Sequence, residues 1–456
     1  MHPAHLALAL TLGAAAPAAP APAAPAAPAA PAAPAAANPL LVAWSTPFGM
    51  PPFGDIRPEH FRPAFEAAMA TQRAEVEAIA ANPAPPTFEN TLAALDASGE
   101  ALTRVQLVFG ALVANSATDE IQAIQREMAP RLTRHRDEIQ MDDRLFRRVD
   151  ALWQRRASLG LDPDQLVLLE RVHKGFVRSG ARLDPAGKDR LKAMNGELTS
   201  LGVKFGDNLL AATNGFRLVL DREEQLAGLP PGAVAAAAES ARKAGLPGKW
   251  VFTLHAPSYW PFMKYADDRA LRQRLFEAYT TRCDQGGPLD NKAIASRTAA
   301  LRVEKARLLG YPTWADYVLD DQMAGTPTAA YGLVGQLWEP AKRAAAREAR
   351  ALQEAIRAAG KDHALEPWDW FYYTEKVRKA RYDLDETELS AYFPLDRVRD
   401  GAFLVANKLY GVTFTELPDA PRHDPEARVY EVKDRDGSHL AVFVVDYHPR
   451  PGKRSG

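Results

Sequence analysis

Histidines are the first residues to test for chemistry, and here their spacing is the obstacle. The ten are His2, His5, His60, His135, His173, His255, His363, His423, His439 and His448. No two lie four apart, so the His-Glu-x-x-His helix of a zinc peptidase is absent. Glu170-x-x-His173 has the spacing of a carboxylate-bridged di-iron bundle, but that site needs two such pairs and two further glutamates. One pair alone is expected to be an ordinary helical Glu/His. His439 and His448 flank an apolar run with Asp446 nearby; three such groups suffice for zinc, but surface-turn histidines are the commoner case and the expectation here.

Nucleophile and phosphate motifs give no more. There is no Gly-x-Ser-x-Gly elbow. Cys283 stands between Arg282 and Asp284 without a partner histidine and is expected to be inert. As the single cysteine it excludes an internal disulfide and a cysteine-based zinc knuckle. Gly452-Lys453-Arg454-Ser455 looks superficially like a phosphate loop. Tyr447 stands where the first glycine belongs, however, and Arg454 where Ser or Thr should follow the lysine. The carboxylates cannot be paired from spacing alone. From the residues, no catalytic group and no metal ligand is assigned, and the substrate-binding residues are unknown.

Two clusters stay open. Trp368-Asp369-Trp370-Phe371-Tyr372-Tyr373, followed by Glu375-Lys376-Val377-Arg378, either packs a helix junction or lines a cleft for peptides or sugars. Pro449-Arg450-Pro451-Gly452-Lys453-Arg454 is either a solvated tail or part of a wall that reads anions or carboxylates.

The elements that must position these groups are mostly helical. Phe61, Phe65, Ala68 and Met69 fall on one helical face. Thr87 is placed to cap a helix with Asn90 three residues on, and Leu92, Leu95, Leu102, Val105 and Phe109 continue at helical spacing. Ile121 to Trp153 reads as one long or two abutting helices. Pro163 and Pro185 mark breaks, and further helices are predicted at 190–210, 233–244, 269–281, 291–309, 331–359, 369–381 and 395–409. Phe216–Leu220 and Trp250–Leu254 are strand candidates. A hairpin is predicted across Asp436-Gly437. Its second run, Leu440 to Val445, is apolar at nearly every position, the pattern of a strand buried on both faces inside a sheet. The hairpin is expected to continue the sheet of the two earlier strands. The chain stops soon afterwards with nothing left to cover that strand, so the sequence reads as unfinished. The fold class is mainly α, with a small, incomplete β-sheet near the C-terminus.

Composition bounds the rest. The 456 residues are 47% hydrophobic and 25% charged with a net charge of −1, values of a globular protein rather than a general nucleic-acid binder. Outside the N-terminus no apolar run approaches a membrane span. Leu6 to Gly13 followed by small residues has the form of a secretory signal, and Pro17 to Ala37 repeats Pro-Ala-Ala like a polyproline-II tether. Export to the periplasm or cell exterior is expected. A misassigned start near Asn38 would instead leave a cytoplasmic protein.

Many short stretches, in order, resemble the thimet oligopeptidase family of zinc metallopeptidases, most closely its bacterial peptidyl-dipeptidase (dipeptidyl carboxypeptidase) branch. They include Ile56-Arg57-Pro58-Glu59-His60-Phe61, Pro86-Thr87-Phe88-Glu89-Asn90-Thr91 and Val177-Arg178-Ser179-Gly180-Ala181. Leu226-Ala227-Gly228-Leu229-Pro230, Leu308-Leu309-Gly310, Trp368-Asp369-Trp370 and Asp446-Tyr447-x-Pro449-Arg450-Pro451-Gly452-Lys453-Arg454 follow. The resemblance implies an elongated multi-helix body of two lobes around a channel that admits short, unstructured peptides. It also implies one zinc ion held by His-Glu-x-x-His and a later glutamate, and removal of C-terminal dipeptides. It divides the chain into a signal and tether (1–37), an N-terminal helical lobe (38–215) and the start of a catalytic lobe (216–456). In that family the zinc motif follows the last stretch matched here. The expectation is therefore a chain without zinc ligands, inactive alone. The alternative is a non-catalytic peptide-binding or scaffold remnant.

Overall fold

The computed structural model describes residues 37–383 and 386–454; the signal and most of the tether lie outside the described residues. The predicted apolar face is buried: Phe61, Phe65, Ala68 and Met69 of the Phe61–Ala80 helix meet Val105, Phe109, Ile124 and Met128. Phe65 and Phe109 pack edge to face at 5.3 Å, an arrangement that matches ring edge to ring face. The Thr87 cap forms as predicted, with Thr87 accepting from the Asn90 N–H and Asn90 returning a bond to the Thr87 N–H. What it starts is a wide π-type turn, Phe88–Ala93, and a break at Ser98-Gly99 precedes the Glu100–Asn115 helix. The stretch 121–153 resolves into two helices, Asp119–Gln140 and Asp143–Arg155. The break falls at Asp142, whose carboxylate accepts from the Arg144 and Leu145 N–H groups.

Pro163 and Pro185 each occupy the first turn of a new helix, where a missing N–H costs nothing, and Asp162 and Asp184 cap those helices. The Pro185–Gly215 helix packs along both Asp119–Gln140 and Lys292–Leu308 and so joins the two halves of the chain. No helix among the described residues is long and apolar enough to cross a membrane.

The prediction of one continuous sheet is overturned. The strands β1 (Leu218–Leu220) and β2 (Trp250–Phe252) form their own antiparallel pair. They are covered by Tyr259, Phe262 and Leu275. A separate antiparallel sheet has the order β3-β4-β5, with β3 at Thr413–Glu416, β4 at Arg428–Lys433 and β5 at His439–Val445. The predicted hairpin is there, turning at Gly437 with φ of +83°, a conformation that favours glycine. β3 was not predicted, because four residues reading Thr-Phe-Thr-Glu carry too little apolar pattern.

The expectation that β5 lies inside a sheet, buried on both faces, is also overturned. It is the outer strand, and among the described residues nothing pairs with its far edge. Leu440 is 56% exposed and Val444 41% exposed. One face is engaged: Phe403, from the Leu395–Tyr410 helix, stacks on Phe414 at 4.0 Å, and both rings meet Phe443 edge-on. The outer side of that helix leaves Leu404, Val405 and Leu409 exposed, and the Pro327–Ala358 helix leaves Tyr331, Leu337 and Trp338 exposed. An apolar, unpaired strand edge is an aggregation template. Replacing Leu440 and Val444 together by lysine is expected to lower the self-association of the purified chain, read by light scattering, and to shift its melting temperature little.

Candidate functional site

The densest concentration of charge lies where β5 ends. Arg428 of β4 faces Val445 of β5, so residues just before β4 and just after β5 emerge at one end of the hairpin. Asp446 sits there, nearly buried. Arg450 donates to both of its oxygens, at 3.0 and 2.7 Å, a bidentate pairing that fixes geometry as well as charge. Lys453 Nζ lies 3.0 Å from Oδ1 and also donates to the Asp446 and His448 carbonyls, at 2.6 and 3.2 Å. His423 Nε2 lies 3.0 Å from Oδ2. The Arg450 guanidinium is also 3.1 Å from Asp424. The hydrogen bonds from Arg450, then those from His423 and Lys453, outweigh burial and hold the Asp446 carboxyl well below the usual carboxylate range.

The loop beyond Asp446 is no solvated tail. Pro449 and Pro451 remove two N–H donors and fix two φ angles, so the loop does not continue the ladder. The Gly452 carbonyl accepts from the Ala117 N–H at 2.8 Å, and the Arg454 N–H donates to the Ala114 carbonyl at 2.9 Å. A Cβ on Gly452 would stand 3.0 Å from the Ala117 nitrogen, so a side chain there would crowd this backbone contact. The Pro451 carbonyl accepts from Asn214 at 3.0 Å. Arg454 reaches Asp207 at 2.9 Å, and Arg126 holds the other oxygen of that buried carboxylate at 3.2 Å. The segment 446–454 is thus clamped between the hairpin and the helices at 100–140 and 185–215.

Of the three residues weighed as a zinc set, only Asp446 belongs to this network. His439 stacks on Phe48 at 4.2 Å with Nδ1 3.2 Å from Glu431, and His448 is exposed. The histidine that does meet Asp446, His423, was missed. Counting outward from the Asp436-Gly437 turn would have placed the two segments together, and that is the one signal the sequence carried. Glu170-x-x-His173 makes no metal site either: His173 is buried against Trp153, with Nε2 2.9 Å from Asp150. Burial pushes the Cys283 thiol up, away from nucleophile behaviour. Gly452-Lys453-Arg454 precedes no helix among the described residues, as a phosphate loop would require.

The aromatic run packs a helix junction and also borders a cavity. Asp369 is fully buried and receives Arg269 at 2.8 to 3.1 Å and Arg272 at 2.9 Å. Burial alone would raise its pKa, but the two guanidinium groups hold it below the ordinary value. Arg272 in turn lies 4.0 Å under the Tyr372 ring, packing the junction. Tyr372 also opens onto a cavity of about 450 Å³ whose walls include Leu229, Pro230, Asp267, Glu375 and Lys376. Burial, then a 2.6 Å bond to Asp267, pushes the Tyr372 hydroxyl up, so it is a donor and not a base.

Residues 262–456 match the model of peptidase family M3. The dipeptidyl carboxypeptidase of Escherichia coli (strain K12) is 40% identical over 420 residues, which is 92% of this chain and 62% of that protein. Oligopeptidase A of the same organism is 31% identical over 423 residues, again 92% of this chain and 62% of the relative. Residues 262–456 are thus a peptidase family M3 domain, and the chain as a whole is similar to these relatives. It spans about 62% of the length of these curated relatives.

Zinc, which the family implies, does not fit the M3 residues described here. Among the described residues no three of His, Cys, Asp and Glu converge as a metal set. The nearly buried pair of His423 and Asp446 is already satisfied and flanked by Arg450 and Lys453, whose charges would repel a dication. Nor is Asp446 free to act as a general base, since three cationic or donor groups occupy it.

The network instead predicts acid sensitivity. Because the Asp446 pKa is depressed on folding, its contribution is present above the unfolded value of about 4 and lost as pH falls through the folded value. Asp446→Asn is expected to cost about 1.5–3 kcal/mol at pH 7 in urea unfolding. The difference between variant and parent should shrink as pH falls below about 4 and vanish only well below that, at the depressed folded value.

Proposed function

We propose that these residues form the N-terminal helical lobe (38–215) and the start of the catalytic lobe (216–456) of a zinc-dependent peptidyl-dipeptidase or oligopeptidase that hydrolyses short peptides. The observation that carries this reading is the 40% identity, sustained over 92% of the chain, to a protein named for dipeptidyl carboxypeptidase activity. When bound, zinc would polarise the scissile carbonyl and activate water. No residue here is assigned to hold it. The role of this chain's own residues is to build the walls and fix the loop 446–454 against the helical lobe.

A second reading, a non-catalytic peptide binder, is favoured by the cavity beside Tyr372, which offers ring faces together with groups of both signs. The two readings share a test. The purified 456-residue chain is expected to carry well under one zinc per molecule by elemental analysis and to release no dipeptide from a blocked tetrapeptide, with or without added zinc. Stoichiometric zinc with turnover would overturn the reading that no residue of this chain holds the metal. Saturable peptide binding without turnover would favour the second reading.

The reading also includes export to the periplasm or cell exterior, supported by the signal-like Leu6–Gly13 and the Pro-Ala tether. Intact-mass analysis of protein from a periplasmic extract is expected to find a chain cleaved near Ala14 to Ala18. A full-length chain retained in the cytoplasm would refute this part.

A further inference from the structure

Between the Phe61–Ala80 and Asp119–Gln140 helices lies a cavity of about 360 Å³ that neither the Asp446 network nor the peptide reading uses. Its walls carry Arg73, Arg131, Arg134 and His135, with Glu66 and Glu138. Arg131 is committed, donating to Glu66 at 2.8 Å and to Glu127 at 3.3 Å. Arg73 and Arg134 make no hydrogen bond or ion pair among the described residues. His135 is 4% exposed; its Nε2 is 2.7 Å from Gln72 Oε1, and its Nδ1 is a buried polar atom without a partner. A buried nitrogen left without a partner is destabilising unless something answers it.

We propose that this cavity binds a small tetrahedral oxyanion, phosphate or sulfate, gripped by Arg73 and Arg134 with His135 beneath. Three separate donors suit an anion with several oxygens better than a carboxylate, which one guanidinium fork satisfies alone. The cavity's charged groups leave one net positive charge with His135 neutral and two with it protonated. Without an anion, burial and then the charge of Arg73 lower the His135 pKa, against a smaller opposing effect of Glu138. Of its other neighbours, Gln72 is uncharged, and Asp137 on the far side of the helix is engaged by Asn195 at 3.0 Å. A bound dianion reverses the balance: the imidazolium keeps its Nε2 bond to Gln72 and gains a charged partner. Binding therefore takes up a proton, and affinity rises as pH falls, by at most about tenfold per pH unit between the free and bound pKa values.

The test is NMR of ¹³C-histidine in the full chain, with the His135 resonance assigned by His135→Asn. Sulfate is the main probe because its charge is constant across the range, and sodium chloride at matched ionic strength is the control. The expected result is a rise of the His135 pKa by about one unit or more in millimolar sulfate, with the same direction in inorganic phosphate. In an R73A/R134A variant the response should vanish while the melting temperature in chloride stays unchanged, since both side chains are exposed. In parallel, sulfate should raise the melting temperature of the parent and not of that variant. An equal shift in chloride, a shift that survives R73A/R134A, or a response to the dipeptide Gly-Gly alone would overturn the proposal.

Discussion

The clamp between Asp446 and its cationic partners is the interaction on which the second half of the structure depends. A three-stranded sheet with an open edge has little to fix its position on a helical body. The loop 446–454 supplies that fixing. Asp446 gathers Arg450, Lys453 and His423 at the end of the hairpin, and Arg454 crosses to Asp207 on the long helix, 247 residues away in sequence. The two prolines keep the segment from lengthening the strand, and Gly452 lets its backbone touch the turn at Ala117. Closing so long a loop costs entropy that grows only slowly with length, so a few charge-assisted bonds in a nearly dry setting can hold it.

The same solution recurs at the junction of the Arg269–Thr280 and Trp370–Tyr382 helices, where fully buried Asp369 is held by Arg269 and Arg272. Desolvating these charges is costly, and such pairs add little net stability over an apolar contact. What they supply is definition. Arg272 also caps the Ala266 and Asp267 carbonyls and lies under Tyr372, so one side chain sets the angle between several elements. The cavity beside Tyr372 takes its shape from that arrangement.

Against these anchored points stand the broad apolar faces of the Pro327–Ala358 and Leu395–Tyr410 helices and of β5. Single exposed apolar residues are ordinary, but contiguous ones mark surfaces that bind something or aggregate. Relatives in peptidase family M3 extend well beyond the length matched by this chain, which fits the proposal that these residues are one part of a peptidase.

The sequence by itself determined the helical class, the helix faces, the Thr87 cap, the hairpin turn and, through many short ordered stretches, the family. Those features are local: they follow from spacing along the chain and from the backbone preferences of single residues. It misread β5 as an inner strand, because apolarity at every position records a demand for cover without saying whether or by what the strand is covered. It joined two sheets that are separate, because register between distant strands leaves no trace in either strand alone. His423 and Asp446, like Asp369 and its arginines, meet only through tertiary structure. A charge that finds its partner 23 or 97 residues away has no periodicity to betray it, and only the packing decided those pairs.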